Sequence, residues 1–150
     1  MSELKDRLKS DLTSAIRGRD EVATATLRMA LAAVTTEEVA GSSARELSDD
    51  EVLKVLARES KKRREAAEAF GSAGRTELAD RERAEGSVLE RYLPTQLSDA
   101  EVTQLVADAI AETGASGMQQ MGAVMRVAQQ AAAGRADGKR LSTEVRRQLT

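Results

Sequence analysis

Leu89-Glu90-Arg91-Tyr92-Leu93-Pro94-Thr95-Gln96-Leu97-Ser98-Asp99-Ala100-Glu101-Val102 is the stretch on which the fold turns. Pro94 is the chain's single proline. It has no N–H to donate, and its ring pushes the preceding residue out of helical geometry, so a helix through Leu89 and Tyr92 has to stop there. Just beyond, Ser98-Asp99-Ala100-Glu101 has the form of a capping box. In that motif the serine hydroxyl accepts from the third backbone N–H and the glutamate reaches back to the serine N–H. One helix ends and another begins within a few residues. The pattern predicts an all-α, bipartite chain, with residues 1–93 as a helical domain of about four helices and residues 96–150 as a small three-helix domain.

Upstream of this boundary the punctuation is legible. Leu4, Leu8, Leu12 and Ile16 recur every fourth residue and predict an apolar stripe on a first helix that stops near Gly18. Asp20 caps a second helix over roughly 21–39. Within it, Leu27–Val34 is apolar at every position but Arg28. That pattern predicts a central helix buried on several sides, with Arg28 needing a carboxylate or carbonyl partner. After a loop at 40–44, Ser48-Asp49-Asp50-Glu51 is a capping box for a third helix running to Phe70. Gly71 and Gly74 are expected to break it. A fourth helix begins near Thr76, with Leu78, Val88, Leu89 and Tyr92 facing inward.

Downstream, Val102, Leu105, Val106, Ala109 and Ile110 are spaced for a fifth helix that stops at Gly114. Ser116 is expected to cap a sixth, with Met118, Met121, Val124, Met125 and Ala128 on one face. Such a methionine stripe suits either core filling or an adaptable partner groove. Gly134 ends that helix, and Ser142 opens a short last one.

Composition excludes several chemistries. The chain of 150 residues has no cysteine and no histidine. Disulfides, thiolate sites and both Ser–His–Asp and Cys–His catalysis are therefore out of reach. Without these ligands only a hard-cation site remains open, and no spacing suggests one. No catalytic residue, cofactor or metal site is assigned. Phe70 and Tyr92 are the only aromatic residues, too few for a base-stacking surface. No apolar run reaches the roughly 18 residues of a membrane span, and the charged start has no signal-peptide core. The expected location is the cytoplasm and the expected state a monomer.

Charge is distributed unevenly. The total is −2, yet residues 94–125 hold four acids and no base, while residues 126–150 hold six bases against Asp137 and Glu144. This swing fits an anion-binding face or, equally, a solvated and internally compensated helix pair. Lys61-Lys62-Arg63-Arg64 is the densest basic run. Consecutive helical residues point in different directions, and Glu59, Glu65 and Glu68 lie within reach, so the run is read mainly as a salt-bridged surface. Gly134-Arg135-Ala136-Asp137-Gly138-Lys139 imitates a phosphate loop but has the wrong glycine spacing, Arg140 after the lysine, and a helix before it. It is read instead as a turn at Asp137-Gly138 that gathers Arg135, Lys139 and Arg140. Arg146 and Arg147 follow, and Arg126 precedes. These six residues form the candidate nucleic-acid-binding set, gripping phosphates with side chains and a helix N-terminus.

Leu27–Val34, KKRREAAEAF at 61–70, AGRTELADRERAE at 73–85, LERYLPTQLSDAEV at 89–102 and GRADGK at 134–139 together resemble the YqeY-like proteins, in order over nearly the whole chain. Gly86 departs from the match, where a better helix former is expected. The YqeY-like proteins are similar to the C-terminal tail of GatB, the B subunit of the glutamine-dependent aspartyl/glutamyl-tRNA amidotransferase. The resemblance implies a bipartite helical fold and an ancestral role beside tRNA, with Met121–Leu149 most like the tail's final helices. It also brings a label, carbon–nitrogen ligase with glutamine as amide donor. The activating, ATP-using site of that enzyme lies outside the tail, in a domain this chain does not contain. Three readings result: a non-catalytic adaptor for tRNA or a tRNA-handling enzyme, a participant in glutamine-dependent amide transfer, or a protein-interaction module using the Met118–Met125 face.

Overall fold

Short polar side chains ahead of apolar periods set the helix starts. Ser2 Oγ accepts from Lys5 N at 3.0 Å and opens α1 (Glu3–Arg17). Asp20 accepts from Ala23 N at 3.0 Å and opens α2 (Glu21–Glu38). Ser48 and Glu51 close a reciprocal capping box at the start of α3 (Asp49–Ser72), with bonds of 3.3 and 3.2 Å. Each such cap stabilises its helix by about 1 kcal/mol. The computed structural model describes Ser2–Thr150, and every regular element in those residues is helical. The chain divides into two compact units, meeting at Leu93 and Pro94. No helix is long and apolar enough to cross a membrane among the described residues.

In the first unit α2 is the central element, in contact with α1, α3 and α4 (Thr76–Glu90). Ala23, Leu27, Ala30 and Val34 from α2 meet Leu8, Leu47, Val52, Leu56 and Leu89 in one core. Thr26 is fully buried and donates its hydroxyl to Val22 O at 2.7 Å, so this hydroxyl is not stranded. Arg28 is exposed and needs no ion-pair partner. The apolar face of α2 is wide but leaves a solvent strip, and Arg28 lies on it.

Three first-unit expectations are corrected. Ile16 is 48% exposed. A strict four-residue repeat drifts by about 40° per step on a helix of 3.6 residues per turn. Ile16 thus rotates off the face centred on Leu8, and Ala15 takes the buried position. Gly71 lies inside α3, which ends instead at Ala73 and the left-handed Gly74 (φ 74°). Leu78 is 42% exposed because Ala79, one residue on, is the first-turn residue of α4 that is buried.

α3 and α4 form the most extensive helix pair, and small residues line it: Ala67, Ala79 and Gly86 are all buried. Across them lies the Arg63 side chain, 11% exposed, with Glu59 at 3.2 Å, Glu85 at 3.5 Å and Glu82 at 3.9 Å. A second guanidinium nitrogen donates to the Met29 sulfur. Nε of Arg63 has no hydrogen-bond partner among the described residues.

In the second unit the Ser98–Glu101 capping box opens α5 (Asp99–Thr113), with bonds of 3.1 and 3.0 Å. Gly114 ends it in the left-handed conformation. A short 3-10 turn over Met118–Gln120 leads into α6 (Met121–Ala132), and α7 (Gly138–Leu149) completes the unit. Each of the three α-helices packs against the other two around Val102, Val106, Val124, Ala128, Leu141 and Val145. Ser116 does not cap α6. Its N–H and that of Gly117 instead donate to Gln120 Oε1, at 2.6 and 3.3 Å. Met121 and Met125 pack against this core, whereas Met118 is 40% exposed, so the methionine stripe is mostly core filling.

The last helix starts a full turn before Ser142. Asp137 accepts from Arg140 N at 2.8 Å, and Gly138 is the first helical residue. Glycine's low helix propensity argues for a turn, but the aspartate cap prevails.

Two measurements test this arrangement. A Cβ built at Gly86 would meet Arg63 Cβ at 3.7 Å, an ordinary contact. Gly86→Ala is therefore expected to raise stability by up to about 1 kcal/mol in urea unfolding, from helix propensity, whereas Gly86→Leu overfills the α3–α4 contact and lowers it. Trypsin is expected to cut first after Arg45 and Arg91, exposed residues beside non-helical backbone. Earlier cleavage within 54–64 would contradict the boundaries of α3.

Candidate nucleic-acid interface

Because α7 starts at Gly138, Lys139 and Arg140 belong to the same helix as Arg146 and Arg147. Lys139 and Arg146 are seven residues apart, as are Arg140 and Arg147. Seven residues are two turns less about 20°, so the four bases form one stripe. Leu141 and Val145 lie on the other side of the helix, fully buried in the core. Lys139, Arg146 and Arg147 are exposed and Arg140 is half-buried.

Two of the four charges are already matched. Arg140 donates to Asp99 Oδ1 at 3.0 Å, joining α7 to the start of α5. Arg147 pairs with Glu144 at 2.5 Å. The Glu144 carboxylate is held down to about 2 by the Arg147 guanidinium first and by the Gln148 amide next. It therefore stays ionised at neutral pH and offsets the stripe. Lys139 and Arg146 make no ion pair among the described residues. Asp99, Val102, Thr103, Lys139, Arg140 and Glu144 border an open groove of about 450 Å³ between α5 and α7.

Arg135 does other work. Its Nε donates to Thr95 O at 2.9 Å, and its own carbonyl accepts from Leu97 N at 2.8 Å. It ties the turn between α6 and α7 to the segment leading into α5. Arg126 lies on the solvent side of α6, opposite buried Val124, Ala128 and Ala132, and no hydrogen bond or ion pair links it to the α7 stripe. The helix N-terminus expected to grip phosphate carries the Asp137 carboxylate instead, which satisfies the Arg140 N–H and disfavours a second anion there.

The basic run of α3 is structural at Arg63 and compensated at Lys62, which pairs with Glu59 at 3.3 Å. Glu82 and Glu85, from α4, take the places assigned to Glu65 and Glu68. Sequence reasoning missed them because they lie on another helix. It missed the α7 stripe for a different reason. The seven-residue spacing is visible in the sequence, but starting the helix at Ser142 hides it. Neither aromatic residue lies in the second unit. The Tyr92 hydroxyl donates to Asp11 at 2.5 Å, and Arg7 lies 4.8 Å from its ring centre. No group of three or more acidic side chains is placed to hold a metal ion among the described residues.

Comparison with known proteins places this chain in a family. The family model described as "Yqey-like protein" matches residues 5–149. The chain is 34% identical over 86 residues to "Altered inheritance of mitochondria protein 41, mitochondrial" of Meyerozyma guilliermondii, covering 57% of this chain but only 44% of that protein. It is 30% identical over 93 residues to "Uncharacterized protein C22F3.15" of Schizosaccharomyces pombe, covering 61% of this chain and 73% of the relative. The chain thus spans less than half the length of the first of these relatives. With the family match extending across both helical units, this chain belongs to the YqeY-like proteins.

Proposed function

We propose that the chain is a non-catalytic helical adaptor that binds tRNA through the solvent face of α7. The observation that carries this reading is the stripe of Lys139, Arg140, Arg146 and Arg147, on which Lys139 and Arg146 have no ion-pair partner among the described residues. The resemblance of Met121–Leu149 to the final helices of the GatB tail supports tRNA as the polyanion. With no aromatic ring in the second unit, the contacts are to phosphates rather than to bases. Arg140 and Arg147 exchange Asp99 and Glu144 for phosphate only at a cost, so Lys139 and Arg146 contribute most of the affinity. Arg135 holds the turn and does not contact RNA. The chain itself performs no amide transfer and brings its partner to an enzyme.

Filter binding of unfractionated tRNA at several salt concentrations tests this. Affinity is expected to fall steeply with salt, and Lys139→Ala with Arg146→Ala to flatten the slope by about 0.7 to 0.9 per lost contact. All tRNAs weaken alike, and helical content by circular dichroism does not change. Glu144→Gln removes the offsetting charge and is expected to tighten binding. Lys61→Ala with Lys62→Ala serves as the control and has the smaller effect. Absence of binding at low salt, or loss of binding in the control pair alone, would refute the assignment.

A further inference from the structure

A second surface of the C-terminal unit has the opposite character. An open groove of about 390 Å³ runs between α5 and α6. Its floor is apolar, from Leu105, Ala109, Val127 and Ala131. Its rim is acidic, with Glu101, Asp108 and Glu112 all on α5, and no basic residue lines it. All three acids are exposed.

The acids differ in how far they are engaged. Glu101 belongs to the capping box, and Arg135 also acts on its charge. Asp108 accepts a neutral amide hydrogen bond from Gln104 at 2.8 Å. Glu112 has no hydrogen bond or ion pair among the described residues. Negative charge is therefore uncompensated along the middle and far end of the groove. The three acids are seven and four residues apart, which sets them on one side of α5 over about 16 Å, or three turns. An apolar trough flanked by acids at that interval complements an α-helix with aliphatic side chains on one face and Lys or Arg beside them at i, i+7 and i+11, or i, i+4 and i+11 if it runs the opposite way.

We propose that the α5–α6 groove is a docking site for a basic amphipathic helix of another protein. Aliphatic side chains of the partner lie on the half-buried Leu105 and Val127 and on the exposed Ala131, and its basic residues face Asp108 and Glu112. The site is independent of the RNA reading, which uses the solvent face of α7, so either can fail without the other.

The probe is a fluorescein-labelled helical peptide of about 14 residues (some four turns), made of leucine and lysine with leucines at i, i+3, i+4 and i+7. A twin peptide with glutamate for lysine is the comparison. Anisotropy on the full chain is expected to show binding of the lysine peptide only. Asp108→Lys with Glu112→Lys is expected to weaken it about tenfold or more, which corresponds to about 1.4 kcal/mol. Ala131→Phe, at an exposed position, fills the groove without altering charge and weakens it as well. Lys139→Ala with Arg146→Ala leaves peptide affinity unchanged. Equal binding of the glutamate peptide, or wild-type affinity in both groove variants, overturns the proposal. So does a dimer of the free chain that the charge-reversal variant dissociates, since a second copy would then occupy the groove.

Discussion

Arg135 links the turn between α6 and α7 to the segment that leads into α5, through its side chain and its own carbonyl. The turn after α6 contains two successive left-handed residues, Ala133 (φ 48°) and Gly134 (φ 80°), which reverse the chain abruptly. The Ala133 N–H donates to Gln129 O at 3.2 Å and the Arg135 N–H to Ala132 O at 2.9 Å. From the segment before α5 the Leu97 N–H donates to Arg135 O at 2.8 Å, the Thr95 carbonyl accepts from the Arg135 side chain at 2.9 Å, and Gln96 donates to Gly134 O at 3.4 Å. These contacts fasten the start of the unit to its middle and bring Leu97 into the core, 7% exposed. α7 then leaves the turn with Leu141 and Val145 inward and its bases outward. The unit is small enough that its core alone stabilises it only marginally, and this clasp adds to the core packing of Leu141 and Val145 and the Arg140–Asp99 pair in placing α7.

A different constraint governs the N-terminal unit. Its core is leucine, valine and alanine, and the α3–α4 contact is built from residues with almost no side chain. Close approach at Gly86 leaves a single long side chain, Arg63, to fill the space beside it. Burying a guanidinium is costly unless carboxylates surround it, and three do. Removing Arg63 would leave those carboxylates facing one another, so the arginine fixes the spacing of the two helices more than it adds net stability. Gly86, a weak residue by helix propensity, lies within ordinary contact distance of that arginine's Cβ.

Charge and packing divide the surface of the C-terminal unit into zones. α5 contributes acids to one groove and, through Asp99, a partner to Arg140 at another. Different acids serve the two surfaces: Glu101, Asp108 and Glu112 mark the first, while Asp99 and Glu144 offset the second. On α7 two cations have no ion-pair partner among the described residues and two are paired, so a polyanion bound there would meet modest, salt-sensitive attraction rather than tight recognition.

The helix starts at Ser48 and Ser98, the central position of α2 and the all-α class were legible in the sequence, because capping and helical periodicity act over three or four residues; the stop expected at Pro94 comes earlier, with α4 ending at Glu90 and Tyr92 beyond it. Two local contests misled: Gly138 against the Asp137 cap, and Gly71 against a helix that runs through it. There the stronger local interaction prevailed, and residue type alone does not rank the two. The candidate site was legible only as a cluster of bases. Its division into the free Lys139 and Arg146, the paired Arg140 and Arg147 and the structural Arg135 depends on Asp99, Glu144 and Thr95. Of these only Glu144 is near in sequence. The partners of Arg63 from α4 are likewise 19 and 22 positions away. A charge in a sequence has a sign and an order; whether it is free is set by which carboxylate or carbonyl the packing of apolar faces brings within hydrogen-bonding distance, and that is decided only when the helices are assembled.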